Sequence, residues 1–125
     1  MSTTRRILLI DDNDPFRTMV RRMLVTAGYD VQEAANGETG VASYRQQRSD
    51  LVFTDIMMPD QDGLATIREL RRVDPLVRII AISGGDPARG GYLEIALKLG
   101  ARRILQKPFT LDELLAAVTE VVLAT

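Results

Sequence analysis

The sequence predicts an α/β protein: a five-stranded parallel sheet, (βα)5, doubly wound with helices on both faces as a three-layer sandwich. Three observations carry this. Short, wholly apolar runs alternate with amphipathic stretches along the whole chain. Runs such as Ile7–Ile10 and Leu51–Phe53 lack polar alternation, as expected of strands covered on both faces. The apolar runs end in functional side chains: Asp11 and Asp12, Asp55, Ser83 and Lys107. In an open α/β sheet the carboxyl ends of the strands form the ligand-binding edge.

Taken in order, Ile7–Ile10 is the first strand. Asp14 and Pro15 join a cap to a first-turn proline. Phe16, Met19, Val20, Met23, Leu24 and Ala27 then recur at helical spacing, with Met19 and Met23 read as core. Gly28 suits the left-handed position after a helix. Tyr29–Ala34 is a weaker strand, Asn36 and Gly37 a turn, and Glu38–Gln47 a helix carrying Val41, Ala42 and Tyr44. After the Asp55 loop, Leu64, Ile67 and Leu70 mark a third helix, capped by Asp62 and stopped by Asp74 and Pro75. Val77–Ile82 is a strand, Gly84–Gly91 a glycine-rich loop, and Tyr92–Leu99 a helix ended by Gly100. Arg103–Gln106 is the last strand. Thr110 and Glu113 form a capping box, Phe109 staples onto Leu114, and Leu111, Leu114, Leu115, Val118, Val121 and Val122 form the apolar stripe of the closing helix. Strands and crossover helices in this order build a parallel sheet.

Composition narrows the chemistry. The chain has 125 residues, enough for one domain with a real core. Its net charge of −1 gives no argument for direct nucleic-acid binding. No apolar run reaches the roughly 20 residues needed to span a bilayer, and Ile7–Ile10 is too short for a signal peptide, so the expected location is cytoplasmic. There is no cysteine and no histidine, which excludes disulfides, thiolate or imidazole metal sites and histidine acid–base catalysis. Carboxylates, lysine and hydroxyls must carry any chemistry.

Alone, Asp11 and Asp12 read as loop acids, Lys107 as a snorkelling lysine, and Ser83 as a turn residue. Together they read differently. Three acids at two ends of one sheet edge repel one another and should have raised pKa values, a cost that a hard divalent cation removes. Magnesium keeps several waters and needs only one or two carboxylates. A site from Asp55, Asp12 or Asp11, and a backbone carbonyl of the Asp55 loop fits it. A cis Lys107–Pro108 bond would fix the direction of the ammonium. A metal, an ammonium and a hydroxyl around one carboxylate meet the needs of phosphoryl transfer to that carboxylate. Gly85 and Gly90 have the spacing of a P-loop, but Gly91 and Tyr92 stand where Lys and Ser or Thr are required, so no nucleotide site is expected there.

These motifs resemble the receiver domain of the two-component response-regulator family. The match rests on Asp11 and Asp12 after the first strand, Asp55-Ile56-Met57-Met58-Pro59 with Asp62 and Gly63, Ser83-Gly84, Gly100-Ala101, and Lys107-Pro108-Phe109. It covers essentially the whole chain and implies a flavodoxin- or CheY-like fold, read as a single receiver domain over residues 1–125 without an output domain. It further implies transfer of a phosphoryl group from a partner's phosphohistidine, on a histidine kinase or phosphotransfer protein, to Asp55. By the same resemblance, magnesium (or manganese) sits at Asp11, Asp12, Asp55 and the Met57 carbonyl. Ser83 and Lys107 then contact the phosphoryl oxygens. The expected role is a signalling phosphoacceptor, not an enzyme acting on other substrates. The alternatives are an aspartyl-nucleophile phosphatase, which sustained turnover of a small phosphate ester would favour, and an unphosphorylated binding module, against which the full acid, hydroxyl and lysine set argues.

Two departures from the family matter for the switch. Ile104 stands where an aromatic is usual, and the stretch between Ser83 and Lys107 is slightly longer. Ile104 is therefore expected to stay packed, with Ser83, Gly84 and the loop up to Gly91 rearranging and Tyr92 as the moving aromatic. Pro108 completes the switch region. The first helix, with Arg17 and Arg21 exposed, is the expected kinase dock. The Tyr92–Leu99 helix, last strand and closing helix are the face toward an output protein. No membrane partner is expected, and the protein is read as a monomer or weak dimer.

Overall fold

The computed structural model describes residues 5–56, 63–84 and 91–123. Five strands and five helices alternate: β1 (Arg6–Ile10), α1 (Asp14–Thr26), β2 (Asp30–Ala34), α2 (Gly37–Gln46), β3 (Leu51–Asp55), α3 (Gly63–Val73), β4 (Ile79–Ser83), α4 (Gly91–Leu99), β5 (Arg103–Gln106) and α5 (Leu111–Leu123). All neighbouring strands pair in parallel, in the order β2-β1-β3-β4-β5. The fold class expected from the sequence is the one observed.

The sheet is covered on both faces, and the pleat decides which residue serves which side. Ile7 and Leu9 point into a cluster with Val20 and Leu24 of α1 and Leu114, Val118 and Val122 of α5. Leu8 and Ile10 point the other way, to Val41 and Tyr44 of α2, Ile67 and Leu70 of α3, and Ala96 of α4. Burial on two sides explains why β1, β3 and β4 are apolar without alternation. At the sheet edge, β2 is only partly covered and accordingly more polar.

Local signals act largely as expected. Gly28 and Gly100 take positive φ, at 100° and 120°, after their helices. Thr110 Oγ1 accepts from the Glu113 amide and Glu113 Oε1 from the Thr110 amide, both at 3.1 Å, which closes the capping box. Other expectations need correction. The cap of α1 is Asn13, whose side chain accepts from the Phe16 amide at 2.9 Å, and Asp14 is the first helical residue. Met19 is 42% exposed, because Val20 and Leu24 take the buried line of α1 and position 19 falls on its shoulder. Ala27, Ala42 and Leu111 are likewise on the outside. The cap expected at Asp62 lies outside the described residues.

Candidate functional site

The strand order brings the site together. From β1 the chain steps out to β2 on one side, then returns to place β3 on the other, so β1 and β3 are neighbours in register with Ile10 opposite Thr54. Asp11, directly after β1, and Asp55, the last residue of β3, therefore meet at a point where the chain direction across the sheet reverses. Beside them, Asp55 pairs with Ile82 and Ser83 with Gln106, which lines Ser83 and Lys107 along the same edge.

Asp11 is fully buried. Its amide donates to the Ala34 carbonyl at 3.1 Å, and its Oδ1 accepts from the Asn13 amide at 2.9 Å. Burial pushes the Asp11 carboxyl above the usual carboxylate range, against the Asn13 amide, which favours the anion. The Asp55 charge adds to the rise and Lys107 opposes it. Asp12 is exposed and Asp55 buried. One carboxylate oxygen from each of Asp11, Asp12 and Asp55 falls in a group within 4.8 Å of one another.

Lys107 closes the group from β5. Its amide donates to the Ser83 carbonyl at 2.8 Å, and its Nζ lies 3.3 Å from Asp55 Oδ2 and 3.5 Å from Asp11 Oδ2. The Lys107–Pro108 bond is cis. The lysine stem crosses Gly84, where an added Cβ would come within 3.1 Å of Lys107 Cδ. Ser83 is buried at the end of β4.

Two contributors were not legible in the pattern. Phe16, one member of the α1 stripe, has its ring centroid 3.8 Å from Lys107 Nζ and stacks edge-on against Phe109 at 5.8 Å and 82°. An ammonium over an aromatic face is stabilised by the ring quadrupole. Glu33 on β2 accepts from Arg17 and forms an ion pair with Arg21.

Of the residues expected to contact a kinase, Arg21 is exposed, but Arg17 is not. The Arg17 side chain is 15% exposed and engaged with Asp11, Asp14 and Glu33. Its helical position pointed to solvent, yet the neighbouring acidic turn and β2 cover it. Ile104 is half-buried and packed on the α3 and α4 side of the core. Met57 and the loop 85–90 lie outside the described residues, as does the side chain of Tyr92.

The acids fit a hard cation. They are oxygen donors, closely grouped, with one anion already disfavoured by burial, and magnesium completes its shell with water. Among the described residues no helix is long and apolar enough to cross a membrane.

Comparison with known proteins shows the family. The profile of the response regulator receiver domain matches residues 7–119, and the chain belongs to that family. It is 35% identical to the chemotaxis protein CheY of Bacillus subtilis over 116 residues, covering 92% of this chain and 95% of that one. Against the chemotaxis protein CheY of Thermotoga maritima it is also 35% identical, over 94% of this chain and 97% of the other. A CheY-like receiver domain protein from Methanospirillum hungatei superposes with a TM-score of 0.89 at 25% identity, over 96% of this chain and 94% of that one. The receiver domain of a sensor histidine kinase from Pseudomonas aeruginosa, solved with a magnesium ion in its active-site cleft, superposes at 0.88 with 32% identity, over 98% and 100% of the two chains. The protein is thus a CheY-like receiver domain of a two-component response regulator, a family whose function is phosphorylation-mediated signalling. Such domains bind magnesium in the acidic cleft and interact with histidine kinases or phosphotransfer proteins.

Proposed function

We propose that Asp55 is the phosphoryl acceptor of this receiver and that the donor is a phosphohistidine on a partner kinase or phosphotransfer protein. The observation that carries this is the meeting of buried Asp55 with Asp11 and Lys107 at one sheet edge, with Lys107 Nζ 3.3 Å and 3.5 Å from the two carboxylates. An Asp55 carboxylate oxygen attacks phosphorus, the phosphorus–nitrogen bond breaks, and the imidazole leaves with the electron pair. Lys107 pairs with the phosphoryl oxygens that arrive beside it, and the Ser83 hydroxyl donates to another. Asp11, Asp12, Asp55 and the Met57 carbonyl would hold magnesium or manganese, which supplies charge neutralisation for the incoming phosphate. Little covalent chemistry falls to the protein, because positioning and charge stabilisation dominate such transfers.

The signal then leaves by conformational change. The phosphoryl group adds roughly −1.5 to −2 charges beside Ser83 and Lys107. Ser83 moves toward it and Gly84 follows, while β-branched Ile104 stays packed. Rearrangement falls on the loop after Gly84 and on α4, with Tyr92 as the moving aromatic, and an output protein reads the α4, β5 and α5 face. The kinase docks on α1, with Arg21 as an exposed contact.

Intact mass after incubation with an acyl phosphate and magnesium tests the acceptor. One phosphoryl group should appear on the wild type and none on Asp55→Asn. A gain that survives in Asp55→Asn would defeat the assignment.

A further inference from the structure

We propose that Arg17 is a positioning residue for the acids, holding the turn between β1 and α1 so that Asp11 and Asp12 face Asp55. The inference rests on the reading that these acids take up a divalent cation.

The guanidinium uses three nitrogens on three separate acceptors. Nη1 donates to the Asp11 carbonyl at 2.7 Å, Nη2 lies 2.7 Å from Asp14 Oδ1, and Nε lies 3.2 Å from Glu33 Oε1. These acceptors belong to the residue just after β1, the first turn of α1 and the neighbouring strand β2. One planar fork thus ties both ends of the acidic turn to the edge of the sheet. Arg21 Nε lies 3.4 Å from the second Glu33 oxygen, which holds Glu33 in place for Arg17. The Asp11 amide and side chain are fixed by Ala34 and Asn13, so the carbonyl bond from Arg17 completes the restraint on that residue. Asp12, which is exposed, has its direction set by the path of this turn.

Charge and geometry predict opposite signs when Arg17 is changed. Taking a cation away from the acids would by charge alone tighten magnesium binding. Losing the fork would loosen it, because ligands that must be reordered bind less well. Arg17→Lys separates the two, since lysine keeps the charge but cannot present a rigid fork to three acceptors.

The experiment is a magnesium titration of the 125-residue wild type, Arg17→Lys, Arg17→Ala and Glu33→Gln, followed by amide chemical shifts of Asp12 and Asn13. Arg72→Ala, on an exposed arginine paired along α3 with Glu69, is the charge control. Arg17→Lys should bind magnesium about tenfold more weakly, as for other groups that orient metal ligands. Glu33→Gln should weaken it less, and Arg72→Ala should match wild type. Labelling by an acyl phosphate, which needs no docking surface, should slow at low magnesium in Arg17→Lys and recover at saturating magnesium. Wild-type magnesium affinity in folded Arg17→Lys would overturn the proposal while leaving the phosphoacceptor reading intact. Equal weakening in Arg72→Ala would overturn it too. If the wild type itself takes up no magnesium at these residues, the proposal and the cation reading fall together. Should Arg17→Ala fail to fold, Arg17→Lys and Glu33→Gln decide the matter.

Discussion

Lys107→Met removes the ammonium and keeps most of the stem over Gly84 and Phe16. That ammonium lies 3.3 Å and 3.5 Å from carboxylates on two nearly inaccessible residues. At an effective dielectric of about 20, each contact carries roughly 5 kcal/mol of Coulomb attraction before desolvation. Desolvation cancels part of this in the intact pair, but removing the ammonium leaves two close, buried carboxylates to repel each other without their counter-ion. Breaking a buried pair in this way costs about 3–5 kcal/mol, and the 24% exposure of Lys107 favours the lower end. With unfolding entropy near 2.1 cal/mol/K per residue, ~3 kcal/mol lowers Tm by about 10 °C in a chain of this size. Magnesium reverses the order. Without the ammonium competing for Asp11 and Asp55, the variant should bind the ion more tightly and regain most of the lost stability as it saturates. Scanning calorimetry in chelator and across a magnesium series measures both effects. Unchanged melting in chelator, or weaker magnesium binding by Lys107→Met, would refute the view of Lys107 as the counter-ion of Asp11 and Asp55.

Gly63→Ala places a Cβ 2.5 Å from the Asp55 carbonyl oxygen and against the Ile56 backbone, neither of which can yield cheaply. It should lose about 1–3 kcal/mol of stability and slow Asp55 labelling, read by thermal melting and intact mass. Tyr44 donates to Asp74 Oδ2 at 2.8 Å, which holds the Asp74 carboxyl below its usual 3.8. A lowered carboxylate pKa stabilises above the unfolded value and is lost as pH falls through the folded one. Tyr44→Phe should therefore cost about 1.5 kcal/mol at neutral pH, with the two stability curves converging below pH 3.8 in denaturant titrations. Phe16→Leu, which removes the ring under Lys107, should cost about 1 kcal/mol of positioning and slow acyl-phosphate labelling severalfold, with Phe16→Tyr near wild type. Equal rates in Phe16→Leu and wild type would show the ring to be packing only.

The sequence by itself determined the element order, the two-sided burial and the ends of the strands. Those properties are local. An apolar run without alternation states that both faces are covered, and Thr110 with Glu113, or Gly28, marks a boundary through contacts only a few residues away. The four residues Asp11, Asp55, Ser83 and Lys107 were legible because each ends or directly follows a strand, and parallel strands end on one edge. Tertiary structure decided what that edge brings into contact. The β2-β1-β3 order makes Asp11 and Asp55 neighbours, and it lets a lysine 52 positions beyond Asp55 pair with both. Helix docking turned Phe16 toward the lysine and Met19 outward, although both belong to one apolar stripe. The same docking covered Arg17, whose helical position alone had pointed it to solvent. Periodicity fixes a side chain's angle around its own helix, but only the packed neighbours fix whether that angle faces water, a core or three acceptors.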